Sequence, residues 1–226
     1  VKRTCCASLA VSKLTKDEDS TIRAFCGLIK SLPEAEFQNW QDEKIREFNL
    51  GIQAGVRPHS SLFVVEAETM KTVAAVRGCI GITVYAPEQS KRKGLTTHFL
   101  NVDLDIQSRF DLQPLVSALD KKAYALRLER VKRTYFASLE VEKATQDVDA
   151  AIRAFCKLIQ RLPEAERRHW HDAKIREFNI GTQAGMSSTV GEFLVKAETV
   201  KAAAALEARI GITVYRPEPV KRATPC

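Results

Sequence analysis

The sequence predicts an α+β fold in tandem duplicate: a two-layer domain with a mainly antiparallel sheet and helices on one face, present once incompletely and once in full. Three observations predict it. Displacing the chain by 130 positions aligns residues 1–92 with residues 131–222 without a gap, and about 54 of these 92 positions are identical, far beyond what unrelated segments give. Several short runs alternate apolar and polar residues, the period of a strand buried on one face. Between them, apolar residues recur every three or four positions, the period of a helix packed along one stripe.

The complete unit opens at Phe99, where Leu100, Val102, Leu104 and Ile106 alternate with Asn101, Asp103, Asp105 and Gln107. This spacing predicts a half-buried strand. Asp111 is placed to cap a short helix through Leu119, with Pro114 tolerated in the first turn. Tyr124, Leu126 and Leu128, then Tyr135, Ala137, Leu139 and Val141, predict two strands of a hairpin. Val148, Ile152, Phe155, Ile159 and Leu162 form the stripe of a long helix. Its counterpart in the first copy opens with Thr15 and Glu18, the spacing of a capping box. Pro163, like Pro33, starts a second helix with acidic residues in its first turn, where the helix dipole favours them. Phe178, Ile180, Thr182 and Ala184, matched by Phe48, Leu50, Ile52 and Ala54, predict another one-sided strand. A short extended piece around Phe193 and Val195, a helix over 198–208 and a strand over 210–215 complete the unit.

The resulting order, β-α-β-β-α-α-β-α-β, resembles a ferredoxin-like arrangement with an added helix and strand. It divides the chain into a first copy at 1–92 that lacks the opening β-α-β elements, the end of a basic linker at 93–97, a complete second copy at 98–222, and a tail at 223–226. The single segment Phe99–Arg130 is assigned to the second copy because Arg130 leads almost directly into the next strand, whereas the run from Pro87 to Thr97 is longer and basic; the alternative is a permuted arrangement in which the first copy uses it. The first copy is therefore expected to keep an open sheet edge, a surface that attracts another strand. The chain opens on Val1 rather than Met, which fits an upstream part removed or never included.

Bulk properties narrow the partners. With 45% hydrophobic and 28% charged residues, the chain is expected to be globular and soluble. The net charge of +7 is spread among acidic residues, with only short clusters such as Lys91–Lys93 and Arg167–Arg168. Aromatic residues do not interleave with these clusters, which argues against nucleic acid. No apolar run is long enough to span a membrane and no secretory signal opens the chain. None of the six cysteines forms a Cys-x-x-Cys pair, so free thiols in a reducing cytoplasm are expected and a metal knuckle is not.

The candidate chemistry is sparse. Glu47, Asn49 and Gln53, with Glu177, Asn179 and Gln183 as counterparts, form the polar face of a strand that could orient a polar ligand, although every half-buried strand needs a solvated face. Asp103 and Asp105 are a weak candidate pair for a divalent cation, lacking further ligands. Trp40 and Trp170 could anchor a partner or cover the core edge. His169 and His171 lie two apart, on different sides of a helix, and do not form a zinc pair. No nucleophile elbow, phosphate loop or cofactor motif occurs, so no cofactor is expected.

These residues point to a non-enzymatic binding or interaction protein, compatible with an adaptor or immunity-like role in a bacterial cytoplasm. The partner would be another protein or a second copy held through the first copy's sheet edge, making a dimer. The alternative is a small-molecule-binding domain or enzyme using the polar sheet face. A third class, nucleic-acid binding, requires the scattered Lys and Arg to gather into one stripe.

Overall fold

The structure is a computed structural model and describes residues 18–55, 59–87, 96–119, 122–141, 147–186 and 190–217. In chain order the elements are α1 (Glu18–Lys30), α2 (Glu34–Asp42), β1 (Glu47–Gln53), β2 (Ser60–Val65), α3 (Ala67–Ala75), β3 (Cys79–Tyr85), β4 (His98–Ser108), α4 (Gln113–Leu119), β5 (Ala123–Val131), β6 (Thr134–Val141), α5 (Val148–Gln160), α6 (Glu164–His171), β7 (Ile175–Gln183), β8 (Gly191–Val195), α7 (Ala197–Ala205) and β9 (Arg209–Tyr215). The fold is mixed α+β, its strand pairs mostly antiparallel. No helix among the described residues is long and apolar enough to cross a membrane.

Local chemistry explains the helix starts. The Asp147 carboxylate accepts the Ala150 N–H at 3.1 Å and caps α5, supplying one of the bonds that the first turn lacks. Asp111 likewise accepts the Gln113 N–H at 3.0 Å ahead of α4. Pro33 and Pro163 occupy the cap positions of α2 and α6. Thr15, the proposed capping partner of Glu18, and the cysteines at 5, 6 and 226 lie outside the described residues.

The same interactions recur 130 residues apart. Asp19 accepts the Glu66 N–H at 2.9 Å and Asp149 accepts the Lys196 N–H at 2.8 Å. The indoles of Trp40 and Trp170 donate to the carbonyls of Val76 and Leu206 at 2.9 and 3.1 Å. Strands β1 and β3 pair in parallel from Glu47↔Cys79 to Gln53↔Tyr85, and β7 and β9 repeat that register from Glu177↔Arg209 to Gln183↔Tyr215.

The halves do not keep their strands to themselves. Strand β2 of the first half pairs antiparallel with β9 of the second, Val65 opposite Ile210, while β8 of the second pairs with β3 of the first, Val195 opposite Ile80. The exchange is reciprocal, and α3 packs against α7. A strand, helix and strand in succession run the two strands in the same direction. The antiparallel place beside β3 is therefore filled from outside its own unit, and likewise beside β9. Two sheets result, one ordered β2-β9-β7-β4-β6-β5 and the other β1-β3-β8.

Strand β4 sits between β7 and β6, and its inward residues Val102, Leu104 and Ile106 are buried. Helix α5 lies over this sheet, Phe155 stacking on Phe178 with ring centroids 6.1 Å apart. Among the described residues, strand β1 has no neighbour equivalent to β4 and ends its sheet. It alternates strictly between exposed and buried residues. Its counterpart β7 was expected to do the same, yet it is buried on both faces at several positions because neighbours flank it on both sides. Strand β5 departs in the other direction: as a sheet edge it leaves Tyr124 and Leu126 exposed.

Candidate functional site

Two features are built from the residues singled out in the sequence. The first is the polar face of the six-stranded sheet. Strand pairing brings Asp103 opposite Asn179 and Asp105 opposite Glu177. The Asn179 amide donates to Asp105 at 3.2 Å while its carbonyl oxygen accepts the Thr213 hydroxyl at 2.8 Å. Asn101 donates to Asp103 at 2.9 Å. Glu177 is buried over Gly211 and meets Arg209 at 2.6 Å, and Arg209 also reaches Glu66 of the first half at 3.4 Å. Gln183 donates to the Arg216 carbonyl. Among the described residues no group of three or more His, Cys, Asp or Glu side chains could hold a metal ion.

Burial, together with the neighbouring carboxylates of Asp105 and Glu140, pushes the Asp103 carboxyl from its ordinary 3.8 to about 7. Burial also raises Glu177, against the lowering effect of Arg209. A carboxyl raised in the folded state stabilises the fold only while protonated. The Asp103 contribution is therefore complete below pH 3.8 and is lost as pH rises to about 7. Asp103→Asn is expected to add about 1–3 kcal/mol at pH 8, where the wild-type carboxylate is charged, and close to nothing at pH 4. Urea unfolding of both proteins across this range checks it, and a difference independent of pH would contradict the assignment.

The first half carries the same polar residues in a more open setting. Asn49 accepts the Thr83 hydroxyl at 2.9 Å and Gln53 donates to the Ala86 carbonyl. Glu47, Asn49 and Gln53 are all exposed. The position of Arg209 is occupied here by Cys79, and Glu47 has no need of a buried counter-ion because solvent reaches it.

The second feature was not foreseen as a site: a groove of about 550 Å³ between α1 and β1. Its walls include Phe25, Leu28, Ile29 and Leu32 of the helix side, Trp40 of α2, and Phe48, Leu50 and Ile52 of the strand. Most of the corresponding residues of the second half are core, and Leu158, the counterpart of Leu28, is partly buried against it. Phe155, Ile159 and Trp170 are essentially inaccessible, and Leu162 is 3% exposed against 39% for Leu32. Leu28 is 59% exposed. The difference has a single cause. Strand β4 and the elements after it cover the second half, α5 packing on β4 and β6 and α4 on α6; no described element does this for α1 and β1.

Trp170 thus spends its surface on the core, whereas half-buried Trp40 faces the groove. The sequence carried a partial signal for the groove, since α1 repeats the apolar stripe of α5; that nothing described stands beside β1 as β4 does beside β7 is read only from the structure. Cys26 and Cys156 are buried and free, and burial pushes the Cys156 thiol up to about 12, so it stays a protonated hydrophobe. No family model, curated protein or solved structure matches the chain.

Proposed function

We propose that this chain is a non-enzymatic binding protein that accepts an extended protein segment along the open edge of β1, beneath the apolar stripe of α1. The observation that carries this reading is the groove, because the same molecule contains its filled counterpart: β4 lies against β7 under α5 and buries Val102, Leu104 and Ile106. Backbone bonds to a sheet edge supply affinity in such complexes, and alternate side chains supply selectivity. The partner segment would present aliphatic residues at every second position. A small-molecule or enzymatic use of the polar face draws on the raised Asp103 and Glu177. There, however, carboxylates already accept bonds from Asn101, Asn179 and Arg209, while the groove offers apolar surface that nothing described covers.

A labelled peptide with the sequence of residues 98–108 tests the reading by fluorescence anisotropy. It is expected to bind, with affinity falling about tenfold or more for Leu28→Glu, which places a charge at the groove's exposed wall. A peptide carrying Asp in place of Leu104 is expected not to bind. Absence of binding, or binding indifferent to both changes, would reject the proposal.

A further inference from the structure

Strand β1 carries on its own sequence the pattern that its edge requires. The N–H of Ala54 donates to Tyr85 and the carbonyl of Arg46 accepts from Cys79. Backbone groups alternate sides along a strand, so Phe48, Leu50 and Ile52 direct theirs towards β3. Glu47, Asn49, Gly51 and Gln53 direct theirs to the open edge. Among antiparallel pairings of β1 with another β1, the one centred on Leu50 engages all seven residues. It sets Asn49 opposite Gly51, Glu47 opposite Gln53, Phe48 opposite Ile52, and Leu50 opposite itself, with every edge-directed residue in a hydrogen-bonded pair.

That arrangement reproduces the apolar face of the filled half, while Gly51 and Gln53 stand where β4 has Asp103 and Asp105. Strand β4 places Leu104 opposite Phe178 and Val102 opposite Ile180, the counterparts of Phe48 and Leu50; the incoming β1 supplies Ile52 and Leu50 at those places. On the polar face β4 sets Asn101 opposite Gly181, and a side chain at Gly181 would come within 2.6 Å of the Asn101 oxygen. The paired β1 strands make this Asn–Gly match twice. No like charges face each other, since each Glu47 meets a neutral Gln53, so the edge carries none of the repulsion that keeps natural edges apart. Leu28 of each α1 and Leu32 just beyond its end, exposed in the single chain, line the groove over β1, the place that corresponds to α5 covering β4.

We infer that the occupant of the groove is a second copy of this chain, joined through β1 to β1 in antiparallel register about Leu50. The inference rests on the strand-accepting reading above. Such a dimer would set an antiparallel strand beside β1, as β4 stands beside β7.

Sedimentation equilibrium of the full chain from low micromolar to about 1 mM is expected to show a monomer–dimer equilibrium. Gly51→Pro removes an edge-directed N–H while leaving the β3 side of the strand intact, a change tolerated at sheet edges. It and Leu28→Glu are each expected to raise the dissociation constant about tenfold or more. Register is read by disulfide formation in a background with Cys5, Cys6, Cys79 and Cys226 changed to Ser. Asn49→Cys chains mixed with Gly51→Cys chains are expected to cross-link with each other in preference to themselves, since only the mixed pair falls within disulfide reach. A strictly monomeric chain, or a dimer indifferent to both substitutions, overturns the inference. If the chain is monomeric yet binds the 98–108 peptide, the strand-accepting reading stands and the second copy is rejected as its occupant. If neither is seen, both fall.

Discussion

Trp170→Ala is expected to destabilise the protein by about 3–5 kcal/mol, and Trp40→Ala by roughly half as much. Both indoles make the same hydrogen bond, to Leu206 and Val76, and both lie in the helix that a proline begins. Burial separates them. Trp170 is fully enclosed, with α4 packed on its helix, whereas Trp40 is half-buried beside the groove and removing it enlarges a space already open. Truncation therefore leaves an internal cavity in one half only. Urea midpoints with unchanged slopes would measure the two losses. Equal losses would mean that the first half is covered as completely as the second, and the groove would lose its basis.

Arg209→Met is expected to cost about 2–4 kcal/mol near neutral pH, because it strands Glu177 in the sheet without its counter-ion. Glu177 is 5% exposed and pairs with Arg209 at 2.6 Å, while the nearby carboxylates of Asp105 and Glu66 oppose its charge. Its carboxyl is already raised by burial, and losing the guanidinium raises it further. The sign follows directly. A carboxyl raised on folding weakens the fold as pH climbs from its unfolded value, so the deficit should be largest at neutral and higher pH and shrink towards pH 4 as Glu177 takes up a proton. Adding Glu177→Gln to Arg209→Met should restore much of the loss, since it removes the orphaned charge. A deficit unchanged with pH, or a double variant no better than the single, would show that Arg209 acts by packing alone.

The strand and helix periods were legible because each depends on a short stretch of chain. Val102, Leu104 and Ile106 alternate with polar residues and form β4; Val148, Ile152, Phe155 and Ile159 share a stripe and form α5 with Asp147 at its cap. The polar candidates were legible in part. Glu177, Asn179, Asp103 and Asp105 do come together on one sheet face, yet Arg209 and Glu66, which complete the ion-paired cluster with Glu177, could not be connected to it from spacing. The groove was not legible, because the apolar stripe on α1 does not say what covers it; geometry alone shows that no described element does.

By itself the sequence determined the α+β class and the periods of the strands and helices, which follow from local alternation, while the order β-α-β-β-α-α-β-α-β left out strand β8, too short for its period to be read. Tertiary structure decided which strands pair. The antiparallel places beside β3 and β9 cannot be filled by the strand that precedes each in the chain, because the intervening helix returns it in the same direction. Each half therefore takes β2 or β8 from the other. Tertiary structure also decided why identical residues differ in environment. Trp40 and Trp170, or Glu47 and Glu177, share local sequence, but burial is set by what lies across from them: among the described residues α4 packs on the helix of Trp170 alone and β4 pairs with the strand of Glu177 alone.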